Sequence, residues 1–338
     1  MARMTMVEAI VLGLREELER DPSIFMMGQD IGPMGGPLQS FKGLWESYGA
    51  SGRMIDAPIS EEAITAVCFG AAMSGRRPVF ELMFSEFSTL AMGLFAAEAG
   101  IAFKTDGVLK APLVMRTKFG ISPHRGHPED FHSLFVHCPG VKVVMPSTPR
   151  DAKGLIKAAI RDDNPVVFFE HMSLLHGRKE EVPEEDYVVP LGKADVKREG
   201  RDVSIIASGL MVSRALKAAE SLAHEGVQAE VVDLRTISPL DEDTLLASVR
   251  KTGRAVVVHE AWKVGGSGGE VAALIAEQAF LALTGPVVRV APAHLPVPFS
   301  LPLEKAFIPD EHAIVEGVRR ALGTAAPAGE GTQLAGRA

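Results

Sequence analysis

The chain has 338 residues, 46% of them hydrophobic and 23% charged, with a formal net charge of −8. That length exceeds what one core usually holds and favours two domains of about 150 residues each. The acidic balance excludes nucleic acid or an anionic membrane surface as the main partner. The two cysteines, Cys68 and Cys138, lie in apolar runs and read as buried thiols in a reducing compartment, with no disulfide framework and no metal-binding pair.

The N-terminal MARMTMVEAIVLGLREELER predicts an amphipathic helix rich in Glu, without the basic head and unbroken apolar stretch of a targeting segment. No window of about 18 residues is free of charge or helix breakers, so no membrane span and a cytoplasmic location are expected. In DAPISEEAITAVCFGAAM (56–73), Ser60 reads as an N-cap and the adjacent acids Glu61 and Glu62 fall in the first turn of a helix. On those residues alone, attraction to the positive end of the helix dipole accounts for both carboxylates.

PVFELMF (78–84), PLVMRT (112–117), VKVVMPS (141–147) and PVVFFE (165–170) read as strands, each a short run enriched in β-branched or aromatic residues. Helical spacing separates them at 86–103 and 149–161, the latter capped by Thr148 with Pro149 at its first position and Asp151 in its first turn. His124 and His127 occupy a Pro/Gly loop after the strand 112–117. Ligands of open parallel sheets gather beyond the C-terminal strand ends, so this loop is well placed for chemistry. The residues alone do not choose between the two histidines. The spacing in HRGHPEDFHSLFVHC matches no standard zinc pattern, and His132 and His137 are assigned to a helix against the sheet.

The charged, proline-containing HGRKEEVPEEDYVVPLGKADVKREGRD then reads as a connection. A second series follows, with strands at 203–208, 227–233, 255–260 and 286–291 and helices near 211–225, 241–251 and 269–281. The Gly-rich VGGSGGEVAAL (264–274) lacks the full G-x-G-x-x-G spacing, because Val271 stands where the last glycine is required; it predicts a tight turn into a helix. The last stretch, TAAPAGEGTQLAGRA, is small, polar and expected to be disordered. No repeat of solenoid length is present. Strand–helix alternation in both series predicts an α/β protein with two parallel-sheet domains. The expected boundaries are 1–180, a linker 181–202, 203–323, and a tail 324–338.

Three segments carry a resemblance: DAPISEEAITAVCFGAAMSGRRPVFELMFSEF, HCPGVKVVMPSTPRDAKGLIKAAIRDDNPVVFFE and AEVVDLRTISPLDEDTLLASVRKTGRAVVVHEAW. The chain resembles, from about residue 4 to 322, the β subunits of the thiamin-diphosphate-dependent 2-oxo acid dehydrogenases, which act on pyruvate, branched-chain 2-oxo acids or acetoin and are kin to transketolase. The resemblance implies a pyrimidine-binding domain followed by a transketolase C-terminal domain. It implies that Glu61, the Glu of D-x-P-I-[ST]-E, hydrogen-bonds N1′ of the cofactor's aminopyrimidine, where a carboxyl in apolar surroundings keeps a proton to exchange. Phe87 corresponds to the aromatic stacked on the pyrimidine, Met83 to its neighbour, and Ile59 to the turn against the ring. His127, ten residues before the HCPG of 137–140, corresponds to the active-site histidine. Leu113, Ala159, Ile160, Asp162 and Asn164 match positions where some relatives hold a potassium ion.

The family's G-D-G…N motif for Mg²⁺ and the diphosphate is absent from this sequence. The resemblance implies that a separate α subunit supplies it in an α2β2 heterotetramer. Other departures concern substrate and assembly. The loop KFGISPHRGHPEDF is shorter than in relatives, and His124 and Arg125 are candidates to hold a hydroxylated or anionic substrate. AHLPVPF places His294 where relatives have an Asp that pairs with a lipoyl transacylase core, which makes docking to such a core less expected. The implied function is decarboxylation of a 2-oxo acid, or acyloin cleavage, with acyl transfer to a lipoyl group. The alternative is a two-subunit transketolase-like enzyme moving a ketol unit between sugars. A catalytically silent assembly subunit is disfavoured by the presence of Glu61, Phe87 and His127.

Overall fold

The computed structural model describes residues 1–121 and 126–324, so the candidate substrate residues His124 and Arg125, and the tail from residue 325, lie outside the described residues. The chain divides into two compact units, one of Met1–Lys193 with Arg235–Leu240, the other of Ala194–Leu234 with the described residues from Asp241 onward. The strands in chain order are β1 (Ala2–Met4), β2 (Ile24–Gln29), β3 (Met54–Ala57), β4 (Arg77–Phe84), β5 (Val114–Phe119), β6 (Lys142–Val144), β7 (Val166–His171), β8 (Glu180–Val182), β9 (Asp195–Arg198), β10 (Val203–Ala207), β11 (Ala229–Asp233), β12 (Thr236–Ser238), β13 (Ala255–Val258) and β14 (Val288–Val290).

The first unit holds a seven-stranded sheet in the order β12-β6-β7-β5-β4-β2-β3, parallel except for β12, together with an antiparallel pair β1-β8. The helix Met6–Arg20 begins in a capping box: the Glu8 amide donates to Thr5 Oγ1 at 3.3 Å and the Thr5 amide donates to Glu8 Oε2 at 2.8 Å. It lies close against the helix Pro149–Arg161; a Cβ on Gly13 would meet Ile156 Cγ2 at 2.8 Å, so only glycine permits this approach. Thr148 caps that second helix by accepting from the Asp151 amide, as the spacing Thr148-Pro149-Asp151 predicts. Ile10, Leu14, Leu18, Leu155, Ile156 and Phe168 bury the seam between helices and sheet.

The segment expected as one helix over 86–103 is broken into Ser85–Ser88, Thr89–Ala91, Met92–Glu98 and Ile101–Lys104. Contrary to the expectation of no membrane-length stretch, Ser85–Lys104 is long and apolar enough to cross a membrane by length and composition, with a mean hydropathy of 1.2. Its charges are too sparse to lower that average. Phe95 nevertheless packs edge-on between Phe69 and Phe135 at 5.2 and 5.3 Å, which ties the stretch into the layer covering this sheet.

The second unit has the sheet order β14-β13-β10-β11-β9, with β9 antiparallel and the others parallel. The residues expected as a connection, 181–202, are shared out: the end of β8 belongs to the first unit and β9 to the second. The glycines of 264–274 open the helix Gly268–Gln278 and fold over His259. A Cβ on Gly268 would meet the His259 ring at 2.3 Å, so close packing rather than phosphate binding explains these glycines. Cys68 and Cys138 are both free and buried, and burial raises both thiols above their ordinary pKa.

Candidate active site

The expected site residues leave the sheet of the first unit at the C-terminal ends of β3, β4 and β5. Ser60 occupies the N-cap position of the helix Glu61–Met73, but its side chain makes no capping hydrogen bond, contrary to the expectation from its residue type. Glu61 and Glu62 fall in the first turn, as the sequence predicts. Glu61 is half-buried rather than enclosed, Glu62 is exposed, and Ile59 is 71% exposed. The apolar surroundings expected for Glu61 are therefore incomplete in this chain by itself.

β4 ends in Met83 and Phe84 and runs directly into the turn Ser85–Ser88, which carries Glu86 and Phe87. Strands β3 and β4 flank β2 on either side. Their ends are thus two strand spacings apart, about 10 Å. A half-exposed carboxylate on one side of that gap and an aromatic group on the other suit a flat heteroaromatic ring better than a phosphate.

His127 joins the β4 side. Its ring stacks on Phe84 at 4.7 Å and 21°, and Phe87 lies 4.8 Å away at 54°. The backbone of His127 is left-handed, with φ +55°, which costs a non-glycine residue energy unless its surroundings hold it. The Gly120 amide donates to Pro128 O at 3.0 Å and the Phe131 amide donates to Ser85 Oγ at 3.0 Å, clamping the loop at both ends. Asp130 and His132 add a buried pair at 2.6 Å. Phe87, expected to present its face to a pyrimidine, also serves as a wall for the histidine.

The sequence reading missed Phe84, Glu86 and Glu129. Glu86 Oε1 lies 3.4 Å from His127 Nδ1. Burial first, then a hydrogen bond with Glu129, pushes the Glu86 carboxyl up to about 8. The signal was an acid between two phenylalanines in FSEF. Arg116 and Lys118 on β5 are fully buried and engaged with Glu170 and Glu81, so these two cations are committed within the sheet. Among the described residues no three His, Cys, Asp or Glu side chains converge to hold a metal ion.

The five positions matched to a potassium site do lie together, at the last turn and C-terminal end of the helix Pro149–Arg161 and just before β5 and β7. Arg77 already donates to two of their carbonyl oxygens, Ile160 O at 3.0 Å and Asp162 O at 2.8 Å. The Leu113 carbonyl accepts from the Val166 amide, and the Ala159 carbonyl from the Asp162 amide. Asp162 Oδ2 is paired with Lys142, and Asn164 donates to Asp162 Oδ1.

Residues 2–177 match the pyrimidine-binding domain of transketolase and residues 192–314 its C-terminal domain. Over 325 residues the chain is 45% identical to the pyruvate dehydrogenase E1 component subunit beta of Bacillus subtilis (strain 168), covering 95% of this chain and 99% of that relative. The chain belongs to the β-subunit family of the thiamin-diphosphate 2-oxo acid dehydrogenases. The 2-oxoisovalerate dehydrogenase subunit beta of the same organism is 43% identical over 328 residues, with the same coverage. Among solved structures, a split-gene transketolase described as an inactive beta4 tetramer superposes with a TM-score of 0.77 at 24% identity, covering 96% of this chain and 99% of that one. A Pichia stipitis transketolase gives 0.68 at 16% identity, with 96% of this chain matched to 46% of that one. These likenesses show that this chain has the transketolase fold.

Proposed function

We propose that this chain is the β subunit of a two-subunit enzyme that decarboxylates a small 2-oxo acid, or cleaves an acyloin, and passes the acyl unit to a lipoyl group. The observation that carries this reading is the 43–45% identity, over nearly the whole chain, to β subunits named for pyruvate and for 2-oxoisovalerate. The ketol-transfer alternative rests on a split-gene transketolase that is only 24% identical and speaks for the fold alone.

Thiamin diphosphate, when bound, supplies the nucleophilic carbon and the electron sink needed to break a bond beside a ketone. Glu61 is assigned the hydrogen bond to the aminopyrimidine nitrogen N1′, across which a proton is exchanged. Phe87, Met83 and Ile59 offer the apolar walls that orient the ring and keep water from it. His127, its side chain 45% exposed, is assigned the movement of a proton from a ring nitrogen to a substrate oxygen. His124 and Arg125 remain proposals for substrate binding by charge.

An α subunit is the proposed source of the Mg²⁺ and diphosphate site in an α2β2 assembly, since the basic side chains Arg116 and Lys118 are committed to buried carboxylates. Ile59, Val67, Leu90 and Phe103 of the first unit are large apolar side chains exposed at 71, 51, 58 and 96%, which a partner would help to cover. Attachment to a lipoyl transacylase core, with His294 in place of an acid, is expected to be weak. A cytoplasmic location, with no nucleic-acid or membrane partner, is part of the same proposal. A potassium ion at Leu113, Ala159, Ile160, Asp162 and Asn164 would have to share two carbonyls with Arg77, a poor fit, and no step is routed through it.

Reconstitution tests the proposal. The chain is purified alone and with a candidate α subunit, and each sample is titrated with thiamin diphosphate and Mg²⁺ by calorimetry. The pair is then assayed against pyruvate, branched-chain 2-oxo acids, acetoin and ketose donors. Tight binding and 2-oxo acid turnover are expected only from the pair. Tight metal-dependent binding to this chain alone would refute the shared site, and turnover restricted to ketoses would refute the dehydrogenase reading.

A further inference from the structure

A carboxyl pair stands behind the His127 ring. Glu86 reaches it from the turn after β4, with Oε1 3.4 Å from Nδ1, a separation that closes to a hydrogen bond with a shift of about 0.5 Å. The Glu86 side chain is 20% exposed and that of His127 45% exposed, so the carboxyl that faces Nδ1 is the more covered of the two groups. Glu86 Oε2 is buried, and no ordinary donor among the described residues reaches it. Glu129, two residues beyond His127, meets Glu86 carboxyl to carboxyl. Two such groups in hydrogen-bond contact hold a proton between them, because both cannot carry charge at that separation.

Among the described residues, the charged groups on the neighbouring strand and in the loop are committed. On β5, which pairs with β4, Lys118 binds Glu81 and Arg116 binds Glu170. In the loop, Asp130 is paired with His132. The ring has little freedom to turn away, because Phe84 stacks on one face and Phe87, itself 6.2 Å from Phe84, packs beside it at 4.8 Å. The left-handed backbone of His127 is set by the clamps at Gly120 and Ser85.

We propose that Glu86 is a positioning residue for His127: the Glu86–Glu129 pair holds one shared proton, faces Nδ1, and fixes the tautomer in which Nδ1 carries hydrogen and Nε2 does not. The proposal rests on the assignment of His127 to proton handling in the proposed function. With the shared proton between the carboxyls, Oε1 accepts from Nδ1–H. Nε2 then keeps its lone pair, the state needed to take a proton and later return it. As pH rises through the value near 8 that burial and Glu129 impose on Glu86, the pair gains its second negative charge and the field at the ring changes.

The test follows the imidazole itself. The full chain, labelled with ¹⁵N-histidine, is titrated by NMR as wild type, Glu86→Gln and Glu129→Gln, with His127→Gln used to assign the signal. The α-assembled forms are assayed in parallel. In the wild type, His127 should show an Nδ1–H tautomer and a second inflection near pH 8. Both carboxyl variants should lose that inflection, and Glu86→Gln should lower kcat on the order of 10²-fold or less with KM nearly constant, while Glu86→Asp restores part of it. An unchanged tautomer and an unchanged titration in both variants overturn the proposal, even if activity falls. Full activity in His127→Gln defeats the catalytic assignment of that histidine instead, and the NMR result still decides whether Glu86 sets its tautomer.

Discussion

The guanidinium of Arg116 grips the carboxylate of Glu170 with two prongs, Nε to Oε1 at 2.5 Å and Nη2 to Oε2 at 3.0 Å, wholly out of contact with water. Its third nitrogen donates to Ser40 O at 3.1 Å, and the Phe41 ring lies 4.7 Å beneath it. Beside it, Lys118 meets Glu81 at 2.6 Å, so three adjacent strands share a closed set of charges. Removing one member leaves a buried charge unpaired. Arg116→Met should therefore cost about 3–5 kcal/mol, while replacing Arg116 and Glu170 together by apolar residues of similar volume should cost much less. Urea denaturation of the three proteins measures the difference; equal losses for single and double variants contradict the pairing.

Glu61 and Glu62 are chemically identical neighbours in one helical turn, which makes them their own control. Glu61→Gln keeps the shape but cannot exchange a proton, so activity of the assembled enzyme and exchange of the cofactor's C2 hydrogen should both fall by roughly 10²- to 10⁴-fold. Glu62→Gln should leave both nearly intact and change stability by at most about 1 kcal/mol. Should the Glu62 variant be the one that loses exchange, the motif is read one residue out of register.

Asp163 gives the acid limb of stability a definite sign. Hydrogen bonds from Lys110 and then Arg77, at 2.7 and 2.6 Å, hold its carboxyl below the ordinary carboxylate pKa. The unfolded chain takes up this proton first as pH falls, so the stabilisation is complete above the ordinary Asp pKa and is lost as pH drops through the folded one. Asp163→Asn should be less stable than wild type at neutral pH, and the gap should close in acid. Thermal melts from pH 7 down to about 3 would show it.

Gly140 closes the HCPG turn with φ +94°, and a Cβ there would meet Ala99 O at 2.7 Å and Gly100 Cα at 2.8 Å. The obstacle is backbone on both counts and has no rotamer to escape into. Gly140→Ala should lower stability by about 2 kcal/mol or more, read as a drop in Tm. A neutral result would mean that the Ala99–Gly100 junction moves freely.

The alternating elements were readable because each has a clear period or cap: the helix Pro149–Arg161 has the bounds its Thr-Pro start and Asp162 end predict. β2 and β3 went unread because IFMMG is rich in Met rather than β-branched residues and Met54–Ala57 is only four residues long. The helix over 86–103 was read as continuous because its apolar spacing persists through the kinks. At the site, the motif residues were legible through resemblance, whereas Glu86 was not, since its meaning depends on a histidine 41 residues further along the chain. The charges inside FELMF, VMRTKF and VVFFEH drew no reading from the sequence. Only the strand order that sets Glu81, Arg116, Lys118 and Glu170 side by side shows why they are tolerated.

The strand β12 begins 43 residues beyond Lys193, after the chain has already built part of its second unit, yet it pairs with β6 of the first. No single cut can therefore yield two whole folding units. A fragment ending at Lys193 would expose the backbone of Lys142–Val144 as a bare sheet margin, ready to recruit a strand from another molecule. The complementary fragment would carry a six-residue strip, Arg235–Leu240, with no sheet of its own to join. Dissection of this protein, or exchange of its units with a relative, thus calls for three junctions, one after Lys193 and one on each side of that strip.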